Sequence, residues 1–248
     1  MNIAQTDVTK SKGDMPLLQH LSELRVRILW CAAMIILGSS ISLFFAERVI
    51  VFLTEPYGGL LQIIEPTEGF SVYLRVGLTG GLALSSPLLI YQIIAFVSPG
   101  LTKRERNIMI VVVPGALLLF VAGASFAWFV MTPAAIDFLS QFMNELFVVN
   151  WTSRSFIKFV LTITLWIGLA FEMPLVIMCL AWLGLVTPRK LLRGWRIAVV
   201  IIAILSAAIT PTIDPFNMFL VMAPLVGLYL FSISLSVLPH RARKRRLA

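Results

Sequence analysis

Apolar residues in this chain gather into long runs free of charge, at 28–46, 76–102, 107–136, 197–213 and 215–240. A further stretch, 159–188, is interrupted only by Glu172. About 20 apolar residues rising ~1.5 Å each cross a ~30 Å hydrocarbon core, so each run predicts a membrane span. Pro99 and Gly100 break the second run and Pro133 caps the third, which trims the expected spans to roughly 28–46, 76–97, 109–131, 159–182, 197–213 and 216–238. In lipid the backbone must satisfy its own hydrogen bonds, leaving helices or closed barrels, and these unbroken runs lack the apolar-polar alternation of a barrel strand. The expected fold is an all-α integral membrane protein with six transmembrane helices, and residues 1–248 form one membrane domain. No internal repeat is evident.

Ahead of the first span, Leu17, Leu21, Leu24 and Ile28 recur at helical spacing, while His20, Glu23 and Arg27 share another face. That pattern predicts an N-terminal amphipathic helix starting near Asp14 and Pro16 and running into the first span. The first run follows a polar tail and lacks a small-x-small cleavage site, so it is expected to persist as an anchor.

Composition narrows the class. Of 248 residues 59% are hydrophobic and 13% charged, whereas a soluble domain carries roughly 25% charged residues to cover its surface. A soluble enzyme, a disordered chain, a collagen, a coiled coil and a disulfide-stapled module are excluded. The net charge of +8 lies in short segments between apolar runs, where it sets orientation and meets anionic lipid rather than nucleic acid. With the N-terminus inside, sixteen Lys and Arg fall on the inner segments and four, Arg48, Arg75, Arg154 and Lys158, on the outer ones. Under the positive-inside rule both termini are cytoplasmic. Cys31 and Cys179 fall inside apolar runs without metal-type spacing and read as small hydrophobes.

Three carboxylates stand out. Glu23 is either an i,i+4 ion pair with Arg27 or a cation-binding acid on an interfacial helix. Glu105, in Lys103-Arg104-Glu105-Arg106, is either paired locally or placed to accept a guanidinium through two parallel hydrogen bonds. Glu172 at mid-span costs ~2.5 to 3.5 kcal/mol on insertion scales, so it is either neutral and internally bonded or functional. Pro174 close by frees the carbonyl of Ala170 and is expected to bend that helix. The fifth run, 17 residues long, reaches only ~25 Å and predicts a locally thinned bilayer. The chain holds no G-x-S-x-G or H-E-x-x-H, and both histidines lie at membrane edges, so no enzyme, metal site or cofactor is expected.

Several ordered segments resemble the TatC family, the core subunit of the twin-arginine protein translocase. They are His20-Leu21-Ser22-Glu23-Leu24-Arg25, Ser86-Pro87-Leu88-Leu89-Ile90-Tyr91-Gln92, Phe96-Val97-Ser98-Pro99-Gly100-Leu101 with Glu105-Arg106, Phe171-Glu172-Met173-Pro174, and Thr210-Pro211 with Asp214-Pro215. The resemblance implies a receptor that binds Arg-Arg signal peptides at its cytoplasmic face and exports folded proteins using the proton-motive force. It implies that Glu23 and Glu105 take the arginine pair, with Arg25, Phe96 and Leu101 shaping that site. Pro56 is implied to order the first outer loop and Asp214 the outer turn of the last hairpin. Glu172 is implied to be the polar group of a concave, glove-like bundle. Implied partners are single-span subunits of the TatA and TatB type, further copies of the chain, and lipid. The implied location is a bacterial cytoplasmic membrane or a thylakoid membrane. One departure is visible: the family often has Tyr-Glu in its last span, and Leu230 follows Tyr229 here. The competing class is a proton- or ion-coupled small-solute transporter using Glu172, for which the paired broken helices of repeated halves are missing.

Overall fold

The computed structural model describes residues 17–58, 61–97, 103–142, 150–210 and 214–247. Helix α1 (Leu17–Phe44) carries the amphipathic segment and the first apolar run, up to residue 44, as one continuous helix. It is followed by the short α2 (Ala46–Thr54) and a 3₁₀ turn at Glu55–Tyr57. Next come α3 (Glu68–Val97), α4 (Lys103–Phe126), a π-helical turn (Ala127–Met131) and α5 (Thr132–Gln141). The chain closes with α6 (Ser153–Leu183), α7 (Pro188–Arg193), α8 (Trp195–Ile209) and α9 (Pro215–Leu247). Among the described residues five helices are long and apolar enough to cross a membrane, and α8 is a shorter apolar helix.

Helix α6 is the centre, packing on α3, α4 and α9. Its residues Phe156, Ile157, Phe159, Val160, Ile163 and Ile167 are buried, and they join Val76, Trp128, Met131, Val221 and Leu225 in the main core. A second cluster, Ile94, Val112, Ala116, Leu175 and Cys179, ties α3, α4 and α6 together. Cys179 serves there as a buried hydrophobe, and Cys31 is a half-buried free thiol on α1. Gly184, at φ 77°, ends α6 in the left-handed conformation, and its N–H donates to Ala181 O.

Helix α1 lies at the edge and relies on α3. Lipid tails are as apolar as leucine, so close backbone approach and hydrogen bonds must join two such helices. Gly38, Ser39 and Ser42 face Gly80, Gly81 and Ser85, and Leu43 lies over Gly77. A Cβ at Gly81 would lie 2.3 Å from Ser39 Cα, so only glycine permits this approach. Ser85 Oγ donates to Met34 O at 2.9 Å and Tyr73 OH to Leu43 O at 2.7 Å. The opposite side of α1, with Ile28, Leu29, Trp30, Ile36 and Leu37, is exposed and provides lipid contact.

At the outer end, the strand-like segment around Gln62 forms a parallel bridge with Thr152. Gln62 N donates to Trp151 O at 3.2 Å, and Ser153 N donates to Gln62 O at 2.9 Å. Glu68, 2% exposed, accepts from Ile64 N at 3.0 Å and from Arg154 N at 2.7 Å. One carboxylate at the start of α3 therefore fastens the first outer connection to the first turn of α6, where the helix N-terminus favours negative charge.

Candidate functional site

The N-terminal turns of α1 and the C-terminal turns of α3 lie side by side because the small-residue seam draws the two helices together antiparallel. Residues 20, 23 and 27 share one face of α1, and that face meets α3. His20 stacks on Phe96, with ring centroids 4.4 Å apart and planes 11° from parallel. Glu23 Oε1 accepts two hydrogen bonds from Arg27, from Nε at 2.9 Å and from Nη2 at 2.5 Å. The same guanidinium reaches α3, where Nη1 donates to Gln92 Oε1 at 3.0 Å and Nη2 to Ala95 O at 3.2 Å. The Glu23 side chain is 26% exposed and that of Arg27 22%, so the pair sits half out of solvent. His20 Nδ1 stands 4.0 Å from Glu23 Oε2. The Glu23 carboxylate is thus braced by Arg27, which is itself held to Gln92 and Ala95 of α3, next to the stacked rings of His20 and Phe96.

The remaining residues singled out by the sequence are scattered. Arg25 is exposed and belongs to none of the contacts that build the Glu23 site. Leu101 lies outside the described residues. Glu105 falls in the first turn of α4, with its side chain outside them. Pro56 belongs to the 3₁₀ turn Glu55–Tyr57, its side chain likewise outside.

Asp214 caps α9, its Oδ1 accepting Asn217 N at 2.7 Å and its Oδ2 accepting Asn217 Nδ2 at 2.9 Å. Neighbouring Pro211 lies outside the described residues. Glu172 is wholly buried, and its Oε1 accepts Ser86 Oγ at 3.0 Å. A carboxyl at this depth needs a donor, and α3 supplies one across the α3–α6 interface, so Glu172 faces a helix neighbour rather than an open surface.

Sequence reasoning missed Gln92 as a partner of Arg27, since 65 positions separate them. It also missed Glu68. The available signal for Glu68 was its place in the first turn of an apolar helix, with Arg154 in the first turn of another. Among the described residues no group of His, Cys, Asp and Glu could hold a metal ion.

The family model for the Sec-independent protein translocase protein TatC matches residues 19–224. The chain is 34% identical over 245 residues to Sec-independent protein translocase protein TatC of Koribacter versatilis, covering 94% of this chain and 90% of that protein. It is 34% identical to TatCd of Bacillus subtilis, covering 94% and 96%. The chloroplastic TATC of Pisum sativum is 37% identical over 221 residues, with 88% and 62% covered. A crystal structure of the twin-arginine translocase receptor TatC superposes with a TM-score of 0.78 at 33% identity, covering 89% of this chain and 99% of that one.

Proposed function

The chain belongs to the TatC family of Sec-independent protein translocase proteins, and we propose from that premise that its cytoplasmic face receives the arginine pair of a signal peptide on Glu23 and Glu105. As a multi-pass membrane protein and a core subunit of the twin-arginine translocase, it needs to distinguish cargo from the many other cations of the cytoplasm. The observation that carries the reading is Glu23: a half-buried carboxylate on a rigid helix pair that already accepts two hydrogen bonds from a guanidinium.

Positive charge dominates the inner segments, so a carboxylate there is a local minimum for cations in an otherwise repulsive field. Two parallel hydrogen bonds favour arginine over lysine, whose ammonium makes a point contact. His20, stacked on Phe96, stands beside this carboxylate, and the family resemblance assigns Leu101 and Arg25 to the same cytoplasmic site. Single-span subunits of the TatA and TatB type, together with further copies of the chain, assemble around this core, and the proton-motive force drives export of the folded cargo. Pro56 and Asp214 shape the outer ends of the helices, and Glu172 supplies the polar group at mid-membrane.

Binding of a labelled twin-arginine peptide to the full chain in lipid nanodiscs tests the site. Glu23→Gln and Glu105→Gln should each weaken binding by roughly tenfold or more, the loss of one charge-assisted contact of ~1.5 to 3 kcal/mol. Unchanged affinity in both variants would overturn the assignment.

A further inference from the structure

The Glu23 carboxylate is already in use. Arg27 directs both Nε and Nη2 at a single oxygen, Oε1, and among the described residues Oε2 accepts no hydrogen bond. A guanidinium binding with two parallel hydrogen bonds needs both oxygens of the carboxylate. With Oε1 taken, an incoming arginine finds only half of its partner.

Arg27 is also anchored so that it can leave Glu23 without being stranded. Nη1 stays with Gln92 Oε1 and Nη2 stays with Ala95 O, both on α3. Swinging the Nε edge away from Glu23 thus costs its pairing with the carboxylate but not the hydrogen bonds that hold the guanidinium at the interface. Resting and exchanged arrangements differ by one guanidinium for another on the same carboxylate.

We propose that Arg27 is the resting occupant of the cargo site, an internal guanidinium that a signal-peptide arginine must displace from Glu23. This inference rests on the reading that Glu23 receives cargo arginine. The internal pair lowers the affinity of the site for every cation. At a given cargo concentration only a ligand making the full two-point contact then fills it, which keeps abundant lysine-rich segments from occupying the translocase.

A positioning role for Arg27, merely bracing Glu23 against α3, predicts the opposite sign, because loss of the brace would loosen the carboxylate and weaken binding. The two are separated by peptide affinity measured on the full chain in lipid nanodiscs. The probes are dye-labelled synthetic signal peptides identical except for Arg-Arg or Lys-Lys. Arg27→Gln should tighten both peptides by roughly three- to tenfold, the range expected when a half-buried ion pair no longer has to be broken. Arg27→Lys, which keeps the charge but loses the fork, should tighten them by a smaller factor and guards against a folding defect in the first variant. In a Glu23→Gln background the Arg27→Gln change should alter affinity by less than about twofold, since no carboxylate remains to be freed.

Arg-Arg affinity that falls or stays constant in both Arg27 variants, while Glu23→Gln still weakens binding, overturns the competitor and leaves the site reading standing. Glu23→Gln binding as tightly as wild type overturns the site reading, and the competitor falls with it.

Discussion

Glu172 and Ser86 show how a single polar contact holds an acid at the level of the hydrocarbon. Oε1 takes the Ser86 hydroxyl, while Oε2 has no hydrogen-bond partner among the described residues. Ser86 Oγ also lies 3.0 Å from the carbonyl of Ala83 in its own helix, so the serine has a fallback and the glutamate does not. Burying a polar group with an unmet acceptor costs about 1 to 3 kcal/mol, so Glu172 is retained at the expense of stability. Glu172→Leu should therefore melt at the same temperature as wild type or higher, and Glu172→Gln should stay close to wild type because the amide still accepts from Ser86. Export of a folded reporter should fall in the leucine variant and be milder in the glutamine one. A leucine variant that melts well below wild type would show that the carboxyl is a net structural asset.

At the scale of helices, the α1–α3 seam connects packing to the candidate site. Gly81 tolerates no side chain because, besides the Ser39 hydroxyl, the backbone of Ser39 is in the way, its Cα at 2.3 Å and its N at 2.4 Å. Gly81→Val must push α1 outward, and α1 has α3 as its main support. The displacement would carry His20, Glu23 and Arg27 away from Phe96, Gln92 and Ala95. The expected outcome is a melting temperature lowered by several degrees, as small-residue interfaces leave no slack for a branched side chain, together with weakened peptide binding. Gly69→Val is the control, since a Cβ there meets nothing within 4 Å. Equal melting curves for the two variants would remove the seam from the account.

What the sequence made legible follows from how local each signal is. The apolar runs announce the helices, because span length and charge exclusion are properties of a contiguous segment. The i,i+4 spacing of Glu23 and Arg27 announces their pairing. The Gln92 and Ala95 anchors, the burial of Glu68 and the match of glycine to serine across α1 and α3 depend on which helices become neighbours, and hydropathy is silent on that. The π-helical turn at Ala127–Met131 also went unread, hidden inside a run whose apolar character is the same on every face. Family resemblance brought Phe96 and Asp214 to notice where spacing alone did not.

For the molecule as a whole, the shortness of α8 is the feature with the widest reach. Its 15 residues span about 22 Å against a ~30 Å core, while α6 with 31 residues is longer than the core requires. The inner end of α8 is fixed: Trp195 and Arg196 begin it, and Tyr229 of α9 donates to Leu191 O in the adjoining α7 at 2.8 Å. The deficit therefore falls at the outer end, where Thr210 is buried and Asp214 caps α9. Inserting four apolar residues between Ala208 and Ile209 adds about one turn, ~6 Å, and brings α8 to an ordinary hydrophobic length. Relief of mismatch should leave the isolated protein no less stable in a bilayer of normal thickness. Export should nevertheless fail. Helix α9 is held in the core by Val221, Leu225 and Tyr229, so the lengthened α8 must either lift the Asp214 cap off Asn217 or slide outward along α9, and either change remodels the surface between α6, α8 and α9. Reporter export at the wild-type rate by a stably inserted, lengthened chain would show that the short helix is incidental to transport.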